Sequence, residues 1–132
     1  MIIAIDFDGT CVTHDFPFIG KDIGAVPVLK RLVECGHKLI LWTMRSDGDK
    51  YPDVLDAATK WFKDNDIPLY GINKNNDQSW STSPKAYCHL YIDDAALGCP
   101  LRFNPEFHSR PFADWYSIHL WLHKEGYFDK KF

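Results

Sequence analysis

The sequence predicts an α/β fold, a three-layer Rossmann-like domain built on a central parallel sheet. Three observations carry that expectation. Apolar runs of four residues or fewer recur at 2–5, 39–42, 69–72 and 90–92, the form taken by strands buried on both faces. Stretches with helical spacing separate the first three of these runs. The resulting order of strand, helix, strand, helix, strand implies right-handed crossovers and therefore a parallel sheet.

The elements can be justified in order. Ile2, Ile3, Ala4 and Ile5 form the first run and lead directly into Asp6-Phe7-Asp8-Gly9-Thr10. Val28, Leu29, Leu32 and Val33 then recur at helical spacing and stop at Gly36, a residue able to take the left-handed conformation that ends a helix. The run 39–42 gives the second strand and ends at Thr43. Val54, Leu55, Ala58, Trp61 and Phe62 repeat the helical pattern before the third run, 69–72. The fourth run, 90–92, ends at Asp93-Asp94. Beyond it, Asp114 is placed to cap a helix carrying Trp115, Ile118 and Leu122 on one face, with Lys124 in its last turn and Gly126 as its stop. This helix is expected to close the second face of the sheet. Two irregular stretches, 11–23 and 73–84, follow the first and third strands.

Composition narrows the class. The 132 residues fit one domain spanning 1–132, long enough to bury a core. With 45% hydrophobic, 15% aromatic and 25% charged residues the chain reads as folded rather than disordered. A formal net charge of -3 gives no general attraction to nucleic acid or to an anionic membrane. Cys11, Cys35, Cys88 and Cys99 are widely spaced and form no C-x-x-C pair, as expected of a reduced cytoplasmic protein. No apolar run approaches membrane-spanning length, and the start lacks the pattern of a signal peptide.

In an open α/β sheet ligands bind outside the carboxyl ends of the strands. Asp6 and Asp8, Thr43, Lys85, and Asp93 with Asp94 all fall on that edge of the expected sheet. Four carboxylates brought together repel one another and raise each other's pKa unless a cation sits among them. An all-oxygen donor set favours a hard ion, Mg2+ above all, which also holds substrate phosphate.

These residues resemble the four motifs of the haloacid dehalogenase (HAD) superfamily of aspartate-nucleophile phosphatases, over residues 1 to about 98. The D-x-D-G-T motif is Asp6-Phe7-Asp8-Gly9-Thr10, the apolar strand ending in Thr is Leu39-Ile40-Leu41-Trp42-Thr43, the lysine is Lys85 and the acidic pair is Asp93-Asp94. The resemblance implies a HAD-like fold and hydrolysis of phosphomonoesters. Asp6 would attack phosphorus and form an aspartyl-phosphate, while Asp8 would serve first as general acid and then as base. Thr43 would hydrogen-bond a phosphoryl oxygen and Lys85 would offset transferring charge. Phosphate and substrate contact falls to Phe7, Asp8, Thr43, Met44, Arg45 and Lys85. Mg2+ would be held by Asp6, the main-chain carbonyl of Asp8 and one of the acidic pair. Asp94 is favoured as direct ligand, with Asp93 acting through water or orienting Lys85. An acid at position 8 favours phosphoryl chemistry, because dehalogenases of this fold lack one there.

Members of that superfamily usually carry a cap domain after the first or third strand. The stretches 11–23 and 73–84 are too short for one, so no substantial cap is expected. A small flap with Phe16, Pro17 and Phe18 at its tip, and a rim bearing Asn73, Lys74 or Trp80, are expected instead. Such an open site admits a bulky phosphorylated partner, or closure by another subunit. Bland readings compete residue by residue. A calcium loop starting at Asp6 would need Gly at its sixth position and Glu at its twelfth, where this chain has Cys11 and Pro17. Arg45 suits either a phosphate contact or a plain surface position. His119 and His123 lie four apart but have no evident third ligand, so structural roles are favoured for them. Phe103, Phe107, Phe112, Trp115, Tyr116 and Trp121 read as packing over the sheet. A receiver-type signalling domain would place its Thr and Lys after its phosphoacceptor and acidic residues, whereas here both precede Asp93-Asp94. A HAD-fold binding or phosphotransfer protein with little turnover is the remaining alternative.

Overall fold

A computed structural model describes residues 1–129. Its elements are β1 (Ile2–Ile5), α1 (Ala25–Glu34), β2 (Lys38–Leu41), α2 (Val54–Asp64), β3 (Gly71–Ile72), β4 (Leu90–Ile92), β5 (Leu101–Arg102), β6 (Phe112–Ala113) and α3 (Trp115–Lys124). The α/β expectation holds. Four strands form a parallel sheet in the order β3-β2-β1-β4, and β5 pairs with β6 in a separate antiparallel hairpin that the sequence pattern did not reveal.

The strand order fixes where the helices lie. The chain steps in one direction from β1 to β2 to β3, so two right-handed crossovers place α1 and α2 on the same face. That face is apolar: Ile3, Ile5, Leu39, Leu41 and Ile92 share one buried cluster with Leu29 and Leu32 of α1 and Ala58 and Phe62 of α2. Helix α1 stops where expected, with Gly36 at φ 90° just past its end.

Helix α3 departs from expectation. Asp114 caps it as read, its side chain accepting from the Ser117 N–H at 3.3 Å. Yet Trp115, Ile118 and Leu122 join the same cluster as α1 and the sheet, so α3 lies beside α1 and leaves the second face uncovered. Amphipathic spacing marks which stripe of a helix is apolar and says nothing about which side of a sheet receives it. The second face, with Ala4 and Ile40, is closed by the irregular stretch 73–89. Tyr91, level with Ala4, donates its hydroxyl to the Ala86 carbonyl, and buried Asn75 donates to the Tyr87 carbonyl at 2.9 Å. The third layer is therefore loop rather than helix. No inserted cap interrupts the sheet among the described residues; 11–23 folds back on itself through a bridge between Val12 and Asp22.

Candidate functional site

Strand register gathers the sequence-predicted residues. Ile5 pairs with Leu41 on one side and with Ile92 on the other, so Thr43 and the Asp93-Asp94 pair leave the sheet at the same edge as Asp6 and Asp8. The Asp6 N–H donates to the Ile92 carbonyl at 3.0 Å and extends that ladder one residue past β1. Three carboxylates converge there: one oxygen each from Asp6, Asp93 and Asp94 lies within 4.8 Å of the others.

Thr10 organises this group. Fully buried, its hydroxyl accepts from the Asp94 N–H at 2.9 Å. Its single proton is shared between Asp6 Oδ2 at 2.8 Å and Asp94 Oδ1 at 3.1 Å. The Thr10 carbonyl is itself held by the indole N–H of Trp115 at 2.6 Å, which connects the loop to the core. His14 Nε2 sits 2.8 Å from Asp94 Oδ2. Gly9 makes room for that ring: at φ 82°, a Cβ added there would stand 2.0 Å from His14 Nε2 and 2.6 Å from Asp94 Oδ2. Burial pushes the Asp6 carboxyl up from 3.8 to about 8, opposed by the Thr10 hydrogen bond and reinforced by the Asp93 and Asp94 carboxylates. Cys11 is no rival nucleophile, since complete burial followed by the charges of Asp6 and Asp8 pushes its thiol well above 9.0.

Asp8 points to a different partner. Both of its oxygens accept from Arg45, Oδ2 from Nε and Oδ1 from Nη2, each at 2.8 Å. Arg45 is 2% exposed, which corrects the reading of it as a surface arginine. Its remaining bonds go to the carbonyls of Val54 and Phe18, at 2.8 Å each. Thr43 is half-buried; its N–H donates to Asn73 Oδ1 at 2.8 Å and its hydroxyl accepts from the Arg45 N–H at 3.1 Å, leaving the hydroxyl proton for a ligand.

The other assignments are not brought together. The side chain of Phe7 is buried against Trp61 and Phe62, ring centroids 5.6 and 6.2 Å away, so only its main chain can face a ligand. Met44 is 97% exposed at the outer edge. Lys85 is exposed on the irregular layer with its ammonium 5.6 Å from the centre of the Tyr91 ring, and no ion pair joins it to the acidic group. An irregular stretch carries no register, so sequence order could not place that side chain. His119 stacks on Phe128, centroids 5.2 Å apart, in keeping with a structural role.

Sequence reasoning missed His14 and underrated Thr10 and Asn73. His14 has no periodicity or motif to mark it, because its partner Asp94 is 80 residues away. Asn73 did carry a signal: it directly follows a strand, level with Trp42 and so one position before Thr43, and it adopts φ 55°, a conformation Asn tolerates better than most residues.

No protein-family model matches the chain, and no curated protein does. A solved structure, described as that of a conserved protein from Bacteroides thetaiotaomicron, is similar at 34% sequence identity with a TM-score of 0.73. The match covers 95% of this chain and 91% of that one. No helix among the described residues is long and apolar enough to cross a membrane.

Proposed function

We propose that this chain, which belongs to the same family as the conserved Bacteroides thetaiotaomicron protein, is a Mg2+-dependent phosphomonoester hydrolase of the HAD superfamily. The observation that carries the reading is the convergence of Asp6, Asp93 and Asp94 at one strand-end edge, with Asp8 and Thr43 leaving the sheet beside them. The donor set is oxygen throughout, which fits a hard divalent cation. Asp6, Asp93 and Asp94 would hold it together with the main-chain carbonyl of Asp8. When bound, such an ion supplies the positive charge that lets Asp6 ionise near neutral pH and that offsets phosphoryl charge.

The chain's own residues account for the remaining chemistry. An Asp6 carboxylate oxygen attacks phosphorus, the phosphorus–oxygen bond to the leaving group breaks, and Asp8 gives that oxygen its proton. Water then attacks the aspartyl-phosphate, Asp8 takes a proton from it, and inorganic phosphate departs with Asp6 restored. The Thr43 hydroxyl donates to a phosphoryl oxygen. Because no cap covers the edge, the leaving group can be bulky. Lys85 favours a second reading, a binding or phosphotransfer protein with little turnover, since its charge is directed to Tyr91 rather than to the site.

The test is hydrolysis of a panel of phosphomonoesters with and without Mg2+, run beside Asp6→Asn. Metal-dependent turnover that the substitution abolishes is expected. Undiminished turnover by the Asn variant refutes the nucleophile, and absence of turnover across the panel favours the second reading.

A further inference from the structure

Arg45 is the most heavily committed side chain near the site, and the phosphatase reading leaves it without a task. Four of its five N–H groups are engaged: two on Asp8, one on the Val54 carbonyl and one on the Phe18 carbonyl. Its guanidinium carbon also lies 4.9 Å from the centre of the Phe7 ring and 5.3 Å from that of Phe16. A planar fork that meets a carboxylate with two parallel bonds fixes both the position and the rotation of that carboxylate, which an ammonium cannot do.

We propose that Arg45 is the positioning residue for Asp8, and that through it the flap at 13–22 sets the leaving-group side of the site. The flap is held from two directions. On one flank Lys21 donates to the Phe107 carbonyl at 2.7 Å and His108 lies 3.3 Å from Asp15. On the other, Arg45 holds the carbonyl of Phe18, whose ring is 75% exposed at the tip. A displacement of the flap tip therefore acts on the same guanidinium that orients Asp8, while the Val54 carbonyl anchors that guanidinium to the start of α2. The two bonds on Asp8 take one lone pair on each oxygen, so the lone pair that remains carries the proton for a leaving group and the guanidinium fork fixes where it points. The flap contact sets where that fork stands.

This inference rests on the phosphatase reading, and its test separates the two. Wild type, Arg45→Lys and Asp6→Asn are compared on 4-nitrophenyl phosphate, whose leaving group departs without help from an acid, and on an alkyl phosphate, whose leaving group needs a proton. Asp6→Asn should abolish both reactions. Arg45→Lys should lower kcat on the alkyl ester by about 100-fold or more, the scale of general-acid assistance, with a much smaller loss on the aryl ester. Equal losses on both esters, or none on either, overturn the role of Arg45 and leave Asp6 standing. Failure of wild type on both esters overturns the phosphatase reading and this inference with it. Amide hydrogen exchange supplies a readout independent of turnover, and Asp8→Asn keeps it usable where Arg45→Lys folds poorly. Asp8→Asn should speed exchange across 13–22 relative to α3, and unchanged exchange there refutes the coupling to the flap.

Discussion

Replacing Thr10 by Val removes a hydroxyl and almost nothing else, since the two side chains share a shape. The hydroxyl is fully buried and makes contact in two directions: it donates within the pair Asp6 Oδ2 and Asp94 Oδ1, and it accepts from the Asp94 N–H. Losing a donated bond to a carboxyl group costs about 1–3 kcal/mol, and leaving the Asp94 N–H without a partner costs about 1–3 kcal/mol more. The sum, about 2–6 kcal/mol, is a large share of the stability of a domain this size. Thr10→Ser keeps the hydroxyl and removes one buried methyl, for about 1 kcal/mol. Urea denaturation at neutral pH, with the slope checked for constancy, measures both variants against wild type. The Val variant should be the less stable of the two by at least about 1 kcal/mol. It should also bind Mg2+ more weakly, because the Thr10 hydrogen bond is what holds the Asp6 pKa down against burial. If Val and Ser prove equally stable, Thr10 does not organise the acidic group and the local argument fails.

Two further outcomes follow from the same geometry. Asp6 carries a folded-state pKa of about 8 against an ordinary 3.8. In the metal-free protein its contribution to stability is therefore fully present below about 3.8 and is lost as pH rises through about 8. The stability of wild type relative to Asp6→Asn, which mimics the protonated form, should fall across that window, and the thermal stabilisation given by Mg2+ should grow across it. A difference that is flat with pH refutes the buried, crowded environment assigned to Asp6. Gly9→Ala should cost about 1–2 kcal/mol for the left-handed backbone and about 1–3 kcal/mol more for displacing His14 from Asp94. In a His14→Ala background the His14 share should vanish, leaving the backbone cost and the crowding of Asp94 Oδ2, so equal costs in both backgrounds would show that His14 does not occupy the space Gly9 leaves.

Much of this molecule was legible before its coordinates. The β1 strand matched the apolar run 2–5 residue for residue, and Gly36, Asp114 and Gly126 marked helix ends correctly, because caps and stops are set by local backbone chemistry. Asp6 and the Asp93-Asp94 pair were legible for a related reason: a carboxylate directly after a buried strand has to emerge at the strand's end. Lys85 was not legible in this way. It lies in 73–89, where no hydrogen-bond ladder relates one residue's position to another's. Arg45 failed for the opposite reason, since its burial comes from Asp8, Phe18 and Val54 closing around it.

By itself the sequence determined the α/β alternation, the parallel sheet and the strand-end placement of the carboxylates, all of which follow from periodicity and from where apolar runs stop. Only the tertiary structure decided that α3 lies beside α1, that a loop closes the second face, and that Asp8 is held by Arg45 while Asp94 is held by Thr10 and His14. Those pairings join residues 37 to 84 positions apart. Local propensity carries no information across such distances, and packing and hydrogen-bond satisfaction in the folded chain select the partners.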